Sequence, residues 1–140
     1  METIKIYGRG VLDGVAEGEA MVCPESIQGW AGVDEKTGKI IEKGHSHEGE
    51  TIDGKVLVLP CAKGSNGWGS HFHSAMVAGH KPAAWIFEKL DSRSASAIVE
   101  LSIPAVVETK GEPPCDVIKN GDIVRVDGTN GIIEIIKRCE

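Results

Sequence analysis

Residues 55–70 have the sequence KVLVLPCAKGSNGWGS, in which an apolar run leads through a proline into a run rich in glycine. The run at 55–59 lacks the polar alternation of a half-exposed strand, so it predicts a strand that is buried on both faces and ends at Pro60. The glycine-rich run predicts a turn, after which Ser70 is expected to cap a helix that extends to about residue 79. A buried strand, a turn and a helix in this order predict the beginning of a parallel β-α-β unit.

The segments that follow continue this alternation of strand and helix. Short apolar runs predict a further buried strand at residues 83–87 and a third, short strand at residues 104–107. Between them a helix is predicted that is capped by Asp91 or Ser92 and ends near residue 101. The buried stripe of the first helix is predicted from residues with i, i+3, i+4 spacing, which are Phe72, Ala75 and Met76.

The flanking segments predict additional strands and one long loop. Four short strands are predicted from apolar or alternating runs, at residues 4–7, 19–23, 122–127 and 131–136. The last two form a C-terminal hairpin. Residues 25–53 are rich in glycine and polar side chains and predict a long loop, a feature of small domains that is usually functional or disordered. The expected fold is therefore α/β, a mixed sheet with β-α-β units and a C-terminal hairpin, in a single domain over residues 1–140.

The composition excludes several classes of protein. The chain has 140 residues, of which 41% are hydrophobic, and a net charge of −6. No apolar run reaches the roughly 18 residues that span a membrane, and the first residues lack the pattern of a signal peptide, so a cytoplasmic protein without a membrane partner is expected. The acidic balance and the lack of a basic cluster argue against a nucleic-acid partner.

The cysteines and histidines show no metal-binding spacing. The four cysteines are Cys23, Cys61, Cys115 and Cys139. None lies in a C-x-x-C pair, and the five histidines do not complete a zinc pattern. We therefore expect reduced thiols and no metal site in this chain, and any iron–sulfur cluster is expected on another chain.

The turn after the buried strand has the composition of an anion-binding site. In open α/β sheets, ligands bind beyond the carboxyl ends of strands, and the N–H groups of a turn before a helix attract anions. Lys63 adds a positive charge, and Gly64 and Gly67 allow close approach of the backbone. The order G-x-x-x-x-G-K-[ST] is missing, which argues against a nucleotide P-loop. A plain β-α turn that uses glycine for its geometry fits the same residues.

A wider set of segments resembles a known family. These segments, in one order and with similar spacing, are GRGV at 8–11, GEA at 18–20, WAGVD at 30–34, TGKII at 37–41, the loop at 45–49, GKVLVLP at 54–60, the Gly64-Ser65 pair and PAA at 82–84. They resemble the small subunits and swivel domains of the aconitase-X family. The resemblance covers residues from about 8 to 107, which makes it far more specific than any single motif.

The resemblance implies a fold, an activity and a partner. The family fold is a swivelling β/β/α domain. The implied function is that of the small subunit of a hydro-lyase, a dehydratase that acts on a small hydroxy acid, with or without a phosphate, and is active only as a heterodimer with a large aconitase-X catalytic subunit. In the family that subunit holds the iron–sulfur cluster, whose iron takes the departing hydroxyl as a Lewis acid.

The resemblance also implies roles for residues of the turn. The family's proton acceptor corresponds to Ser65. A serine is a weak base unless its alkoxide is stabilised, and turn N–H groups, a helix N-terminus and a lysine can provide that stabilisation. The residues expected to bind substrate are Lys63, Gly64, Asn66, Gly67 and His71.

The chain departs from the family within this turn. Many relatives have arginine at the position of Lys63, and a serine- and glycine-rich run at 66–69. Lysine keeps the positive charge but cannot form the two parallel hydrogen bonds of a guanidinium. These differences affect the identity of the expected substrate more than the expected class of reaction.

A second resemblance leads to an alternative function. The segments GSH at 69–71, AMVA at 75–78, IPAVV at 103–107 and GDIVRVDG at 121–128 resemble the phosphohistidine domains of phosphoenolpyruvate-using enzymes. In that interpretation His71 would carry a phosphoryl group, but residues 8–60 would remain unexplained.

The tryptophans and one histidine are assigned by their surroundings in the sequence. Trp30 and Trp68 lie in glycine-rich loops and are expected at an interface or in a pocket. Trp85 lies in a predicted buried strand and is expected in the core, while His73 is expected to be solvated.

Overall fold

The computed structural model describes residues 4–64 and 66–138. In chain order, its elements are β1 (Ile4–Tyr7), β2 (Arg9–Leu12), β3 (Val15–Val22), β4 (Lys55–Leu59), α1 (Trp68–Val77), β5 (Ala84–Phe87), α2 (Ser92–Leu101), β6 (Ala105–Val107), α3 (Pro114–Val117), β7 (Ile123–Asp127) and β8 (Ile132–Lys137). The strands form one sheet in the order β1-β8-β7-β3-β4-β5-β6-β2. Strands β3 to β6 are mutually parallel, and the other pairings are antiparallel.

Strands β1 and β2 lie at opposite ends of this order but are consecutive in the chain. The sheet therefore curls so that its two ends meet. Only Gly8 separates β1 from β2, and its N–H donates to the carbonyl oxygen of Gly131 over 2.8 Å. Strand β2 passes so close to the β7–β8 turn that a Cβ on Gly10 would lie 2.0 Å from the carbonyl oxygen of Gly128. Glycine at position 10 therefore permits the closure of the sheet.

Strand β4 separates two hydrophobic cores. Val56 and Val58 face the inside of the curled sheet, whereas Leu57 and Leu59 face the helices, and all four are fully buried. The inner core also contains Val124, Val126 and Ile133, and the outer core contains Trp68, Phe72, Trp85 and Ile98. The prediction of a strand buried on both faces is confirmed, and the layers are β/β/α.

Helices α1 and α2 pack closely on this outer core. A Cβ on Gly69 would lie 2.8 Å from the backbone nitrogen of Ala97, so the two helices approach closely near the beginning of α1. This packing places the first turn of α2 beside the turn that precedes α1. Both helices have ten residues, and within the described ranges no helix is long and apolar enough to cross a membrane.

The remaining predicted elements are confirmed with small changes of boundary, and two elements were missed. The strand expected at 19–23 begins earlier, at Val15. The predicted cap at Ser70 is wrong, because α1 begins at Trp68 with Gly67 as its N-cap and without a side-chain cap bond. Packing of Trp68 into the core fixes the first turn of this helix instead. Strand β2 and helix α3 were not predicted, since both are short and β2 is largely exposed.

The loop between β3 and β4 is irregular but firmly packed. It is held by isolated bridges, including Val33 with Ile40, and by four apolar side chains that are almost fully buried, Ile27, Val33, Ile40 and Ile52. These side chains belong to the outer core, so the loop covers the part of the sheet next to α1.

Candidate functional site

The turn between β4 and α1 projects from the carboxyl end of a central strand. Ser65, the predicted proton acceptor, lies outside the described residues, and its neighbours Gly64 and Asn66 are exposed. Gly64 has a φ of 95°, a conformation that glycine adopts without strain. Nothing lies within 4 Å of the position that a Cβ of Gly64 would occupy, so this side of the turn faces open space.

Lys63 connects the turn to the long loop through an ion pair. Its Nζ atom donates to Oε2 of Glu42 over 2.7 Å and to the carbonyl oxygen of Glu25 over 3.1 Å. Gln28 pairs with Lys63 in an isolated parallel bridge, and its N–H donates to the other carboxylate oxygen of Glu42 over 2.8 Å. Burial raises the pKa of Glu42, but the hydrogen bonds from Gln28 and Lys63 outweigh it, so this pKa lies below its ordinary value. The cation predicted to bind substrate is therefore already paired.

Arg93 approaches the turn from the other side. Its Nη1 atom donates to the carbonyl oxygen of Gly64 over 2.7 Å, and its Nη2 atom donates to Oδ2 of Asp91 over 3.0 Å. Asp91 also caps α2 through a capping box with Ser94, which confirms the predicted start of this helix. No local pattern predicted Arg93, because it is 29 residues from Gly64 and contacts it only through the packing of the helices.

His71 lies under the exposed ring of Trp30. The His71 side chain is buried, its Nε2 atom lies 2.5 Å from the carbonyl oxygen of Val33, and its Nδ1 atom is buried without a partner. Since a carbonyl only accepts, Nε2 carries a proton, and in the neutral imidazole Nδ1 has a lone pair without a donor. The ring centres of Trp30 and His71 are 4.5 Å apart, and Trp30 is 58% exposed. Neither ring nitrogen is open to solvent, which argues against the phosphoryl-carrier alternative.

Trp68 does not line a pocket or an interface. It is fully buried, it packs against Phe72 and Trp85, and its Nε1 atom donates to the carbonyl oxygen of Ile27 over 2.8 Å. The prediction for Trp68 is wrong because its large apolar area and its satisfied N–H favour the core. Trp85 lies in the core and His73 is exposed, as predicted.

Two buried histidines hold the long loop in place: His47 joins it to the last residue of strand β3, and His45 joins two parts of the loop to each other. His45 Nε2 lies 2.7 Å from the carbonyl oxygen of Ser26, and His47 Nε2 lies 2.8 Å from that of Val22. His47 Nδ1 lies 2.9 Å from Oε2 of Glu50. These contacts occupy the nitrogens that a metal ion would need.

An iron–sulfur cluster does not fit the described residues. Nowhere in the described ranges do three His, Cys, Asp or Glu side chains meet as a group that could hold a metal ion. Cys23, Cys61 and Cys115 are free of disulfides, and Cys139 lies outside the described residues. Burial raises the pKa of the Cys23 and Cys115 thiols, whereas a cluster ligand must be a thiolate.

Comparisons with known proteins cover nearly the whole chain. The family model described as the aconitase X swivel domain matches residues 5–135. The phosphomevalonate dehydratase small subunit of Methanocella arvoryzae is 39% identical over 132 residues, which are 94% of this chain and 99% of the relative. That of Methanosarcina acetivorans is 36% identical over 98% of this chain and 94% of the relative.

Solved structures show the same fold. The crystal structure of Thermococcus kodakaraensis aconitase X in its holo-form has a TM-score of 0.88 and is 30% identical over 96% of this chain and 99% of the other. A solution NMR structure of a UPF0107 protein has a TM-score of 0.85 and is 32% identical, covering 96% of this chain and 100% of the other. The expected swivelling β/β/α fold is confirmed.

Proposed function

The chain belongs to the aconitase X swivel-domain family, and from this premise we propose that it is the small subunit of a dehydratase, a hydro-lyase that acts on a small hydroxy acid. Phosphomevalonate is the first candidate substrate, because relatives that match over nearly their full length are named small subunits of phosphomevalonate dehydratase. The observation that carries the proposal is this full-length match, since a small subunit implies a larger partner.

The openness of the turn supports the need for a partner. Gly64 and Asn66 are exposed, and open space lies beside Gly64. Proton abstraction next to a carboxylate requires a site from which water is excluded, because each electrostatic contact is stronger there. We assign the second wall of the site to a large catalytic subunit, so the active form is a heterodimer. The iron–sulfur cluster belongs to that subunit in this proposal, and the working compartment is the cytoplasm.

The turn supplies the groups of this chain that bind substrate and accept its proton. Ser65 takes the proton from the carbon beside the carboxylate. Lys63 and the backbone N–H groups of Asn66 and Gly67 bind the substrate anion, and Gly64 lets the anion approach the backbone. Because Lys63 is paired with Glu42, a bound anion shares this cation with the carboxylate or displaces it.

His71 has a conditional role in substrate binding. In the neutral imidazole its Nδ1 lone pair is an acceptor for a substrate hydroxyl, but this atom is buried, and the His71 ring contacts the ring of Trp30. Contact with substrate therefore requires a local rearrangement that exposes Nδ1 when the partner binds. The unsatisfied nitrogen gives a reason for such a movement, because a buried acceptor without a donor costs about 1–3 kcal/mol.

Co-expression with a cluster-bearing large subunit tests this function. The two chains should purify together under anaerobic conditions and dehydrate a member of a panel of hydroxy acids with and without phosphate, with phosphomevalonate the first to be tried. The isolated small chain should be inactive and should bind no stoichiometric iron. Dehydratase activity of the chain alone, or a phosphorylated His71 after incubation with phosphoenolpyruvate and carrier domains, would contradict the proposal.

A further inference from the structure

We propose that Arg93 is a positioning residue that restrains Gly64, in the turn next to Ser65, for catalysis, an inference that rests on the proposed function. Arg93 joins the first turn of α2 to the carbonyl oxygen of Gly64, the residue immediately before the proposed proton acceptor. No contact of Arg93 with substrate is needed for this role.

The packing around Gly64 explains why such a restraint matters. Gly64 is exposed, has a positive φ and has no atom near the position of a Cβ. Glycine has more accessible conformations than any other residue, so a turn centred on it needs external restraint. Lys63 is held by Glu42, and Gly64 is held by Arg93. The turn is thus fastened on both sides by charge-assisted hydrogen bonds, which are stronger than neutral ones.

The location of Arg93 is poorly suited to stabilising its own helix. Arg93 is the second residue of α2, and a positive charge near a helix N-terminus opposes the helix dipole. Asp91 offsets this charge. Burial raises the pKa of Asp91, but hydrogen bonds from Ser94 and Arg93 outweigh this effect, so the pKa of this carboxyl lies below its ordinary value. The hydrogen bond to Gly64 is the contact by which Arg93 acts outside its own helix.

The chemistry of the guanidinium makes the role specific to arginine. Asp91 accepts from the backbone of Ser94 through Oδ1 and from Arg93 through Oδ2, so the cap of α2 also orients Arg93. The planar guanidinium donates to Asp91 and to Gly64 at once from two nitrogens. A lysine has one nitrogen on a flexible stem and cannot hold both acceptors in this fixed geometry.

Loss of this restraint should affect turnover more than substrate affinity. A displacement of about 1 Å in a reacting group can lower a rate by about 100-fold. Lys63 and the turn N–H groups would still attract the anion. We therefore expect Arg93→Gln to lower kcat by about 10- to 100-fold in the two-subunit enzyme, with KM changed by less than about threefold. Arg93→Lys should recover only part of this loss.

The test uses a matched control and a second measurement that is independent of activity. Arg125→Gln removes the same charge from an exposed arginine that pairs with Glu17 on strand β3, and it should leave kcat and KM unchanged. In the full-length chain, ¹⁵N relaxation should show lower order parameters for the Gly64 and Asn66 amides in Arg93→Gln but not in Arg125→Gln.

The outcomes separate this inference from the proposed function. An inactive wild-type complex would count against the function, while the relaxation measurement would still decide whether Arg93 restrains the turn. Unchanged order parameters in Arg93→Gln, or an unchanged kcat in an active complex, would overturn the role of Arg93. An equal loss of activity in Arg125→Gln would show a general effect of charge and would also overturn it.

Discussion

The Nζ atom of Lys63 lies 2.7 Å from a carboxylate oxygen of Glu42, and this ion pair joins the β4–α1 turn to the long loop between β3 and β4. The Glu42 side chain is only 17% exposed, so the pair is shielded from solvent more than a typical surface salt bridge. The main cation of the turn therefore has a fixed position before any anion approaches it.

Replacement of Lys63 should weaken substrate binding. A hydrogen bond to a charged group contributes about 1.5–3 kcal/mol, which corresponds to roughly 10- to 100-fold in affinity. We expect Lys63→Gln to raise KM in the two-subunit enzyme by about this factor, with a smaller change in kcat. Steady-state kinetics measure both constants. Lys43→Gln removes the same charge from an exposed lysine next to Glu42 in the sequence and should have little effect. An unchanged KM in Lys63→Gln would contradict the binding role.

The two tryptophans of the glycine-rich segments should respond differently to replacement by phenylalanine. Trp68→Phe leaves the carbonyl oxygen of Ile27 without its donor inside the core, so it should lower the free energy of unfolding by about 1–3 kcal/mol. Trp30 is largely exposed, and Trp30→Phe should change this free energy by less than about 0.5 kcal/mol. Urea denaturation provides the comparison. Equal effects of the two substitutions would contradict the placement of Trp68 in the core.

His80 should give the chain a stability contribution that is lost as the pH rises. Its Nδ1 atom lies 2.9 Å from Oδ2 of Asp53 and its Nε2 atom lies 3.0 Å from the carbonyl oxygen of Lys36, so both nitrogens face acceptors. The hydrogen bond to Asp53 is the largest cause that raises the pKa of His80 above the ordinary value of 6.5. Because the folded pKa is the higher one, the contribution is complete below 6.5 and is lost as the pH rises through the folded pKa.

Thermal unfolding across this pH range tests the role of His80. The difference in Tm between the wild type and His80→Gln should be largest at acidic pH and should shrink as the pH rises. His73 is exposed, and His73→Gln should show no such pH-dependent difference. A difference for His80→Gln that grows with pH would have the wrong sign for a raised pKa.

Local patterns predicted the elements whose own residues determine them. Burial on both faces selects an apolar run, and capping selects a residue such as aspartate. Both patterns could therefore be recognised in the sequence, for β4 and β5 and for the cap at Asp91. Strand β2 has no such local pattern, since its position depends on the closure of the sheet at Gly10. The position of Trp68 was misjudged because the flanking glycines indicated a loop, whereas the helix begins at this residue.

The candidate site could be predicted only in part, because some of its contacts depend on tertiary packing. Lys63 and the glycines of the turn follow a buried strand, so their location is visible in the sequence. The pairing of Lys63 with Glu42 and the contact of Arg93 with Gly64 connect residues that are 21 and 29 positions apart. Such contacts arise from tertiary packing, and no local pattern encodes them.

The Ser65→Ala variant, assayed in the complex with the large subunit, tests the central claim most directly. Removing the hydroxyl should lower kcat by about 10²–10⁴-fold, the usual contribution of a general base, and should suppress solvent-deuterium exchange at the substrate carbon. KM should change less, because Lys63 and the turn N–H groups remain. Ser70→Ala, at an exposed position of α1, serves as the control and should keep normal turnover. Near-normal kcat with intact deuterium exchange in Ser65→Ala would show that another group accepts the proton and would contradict the account.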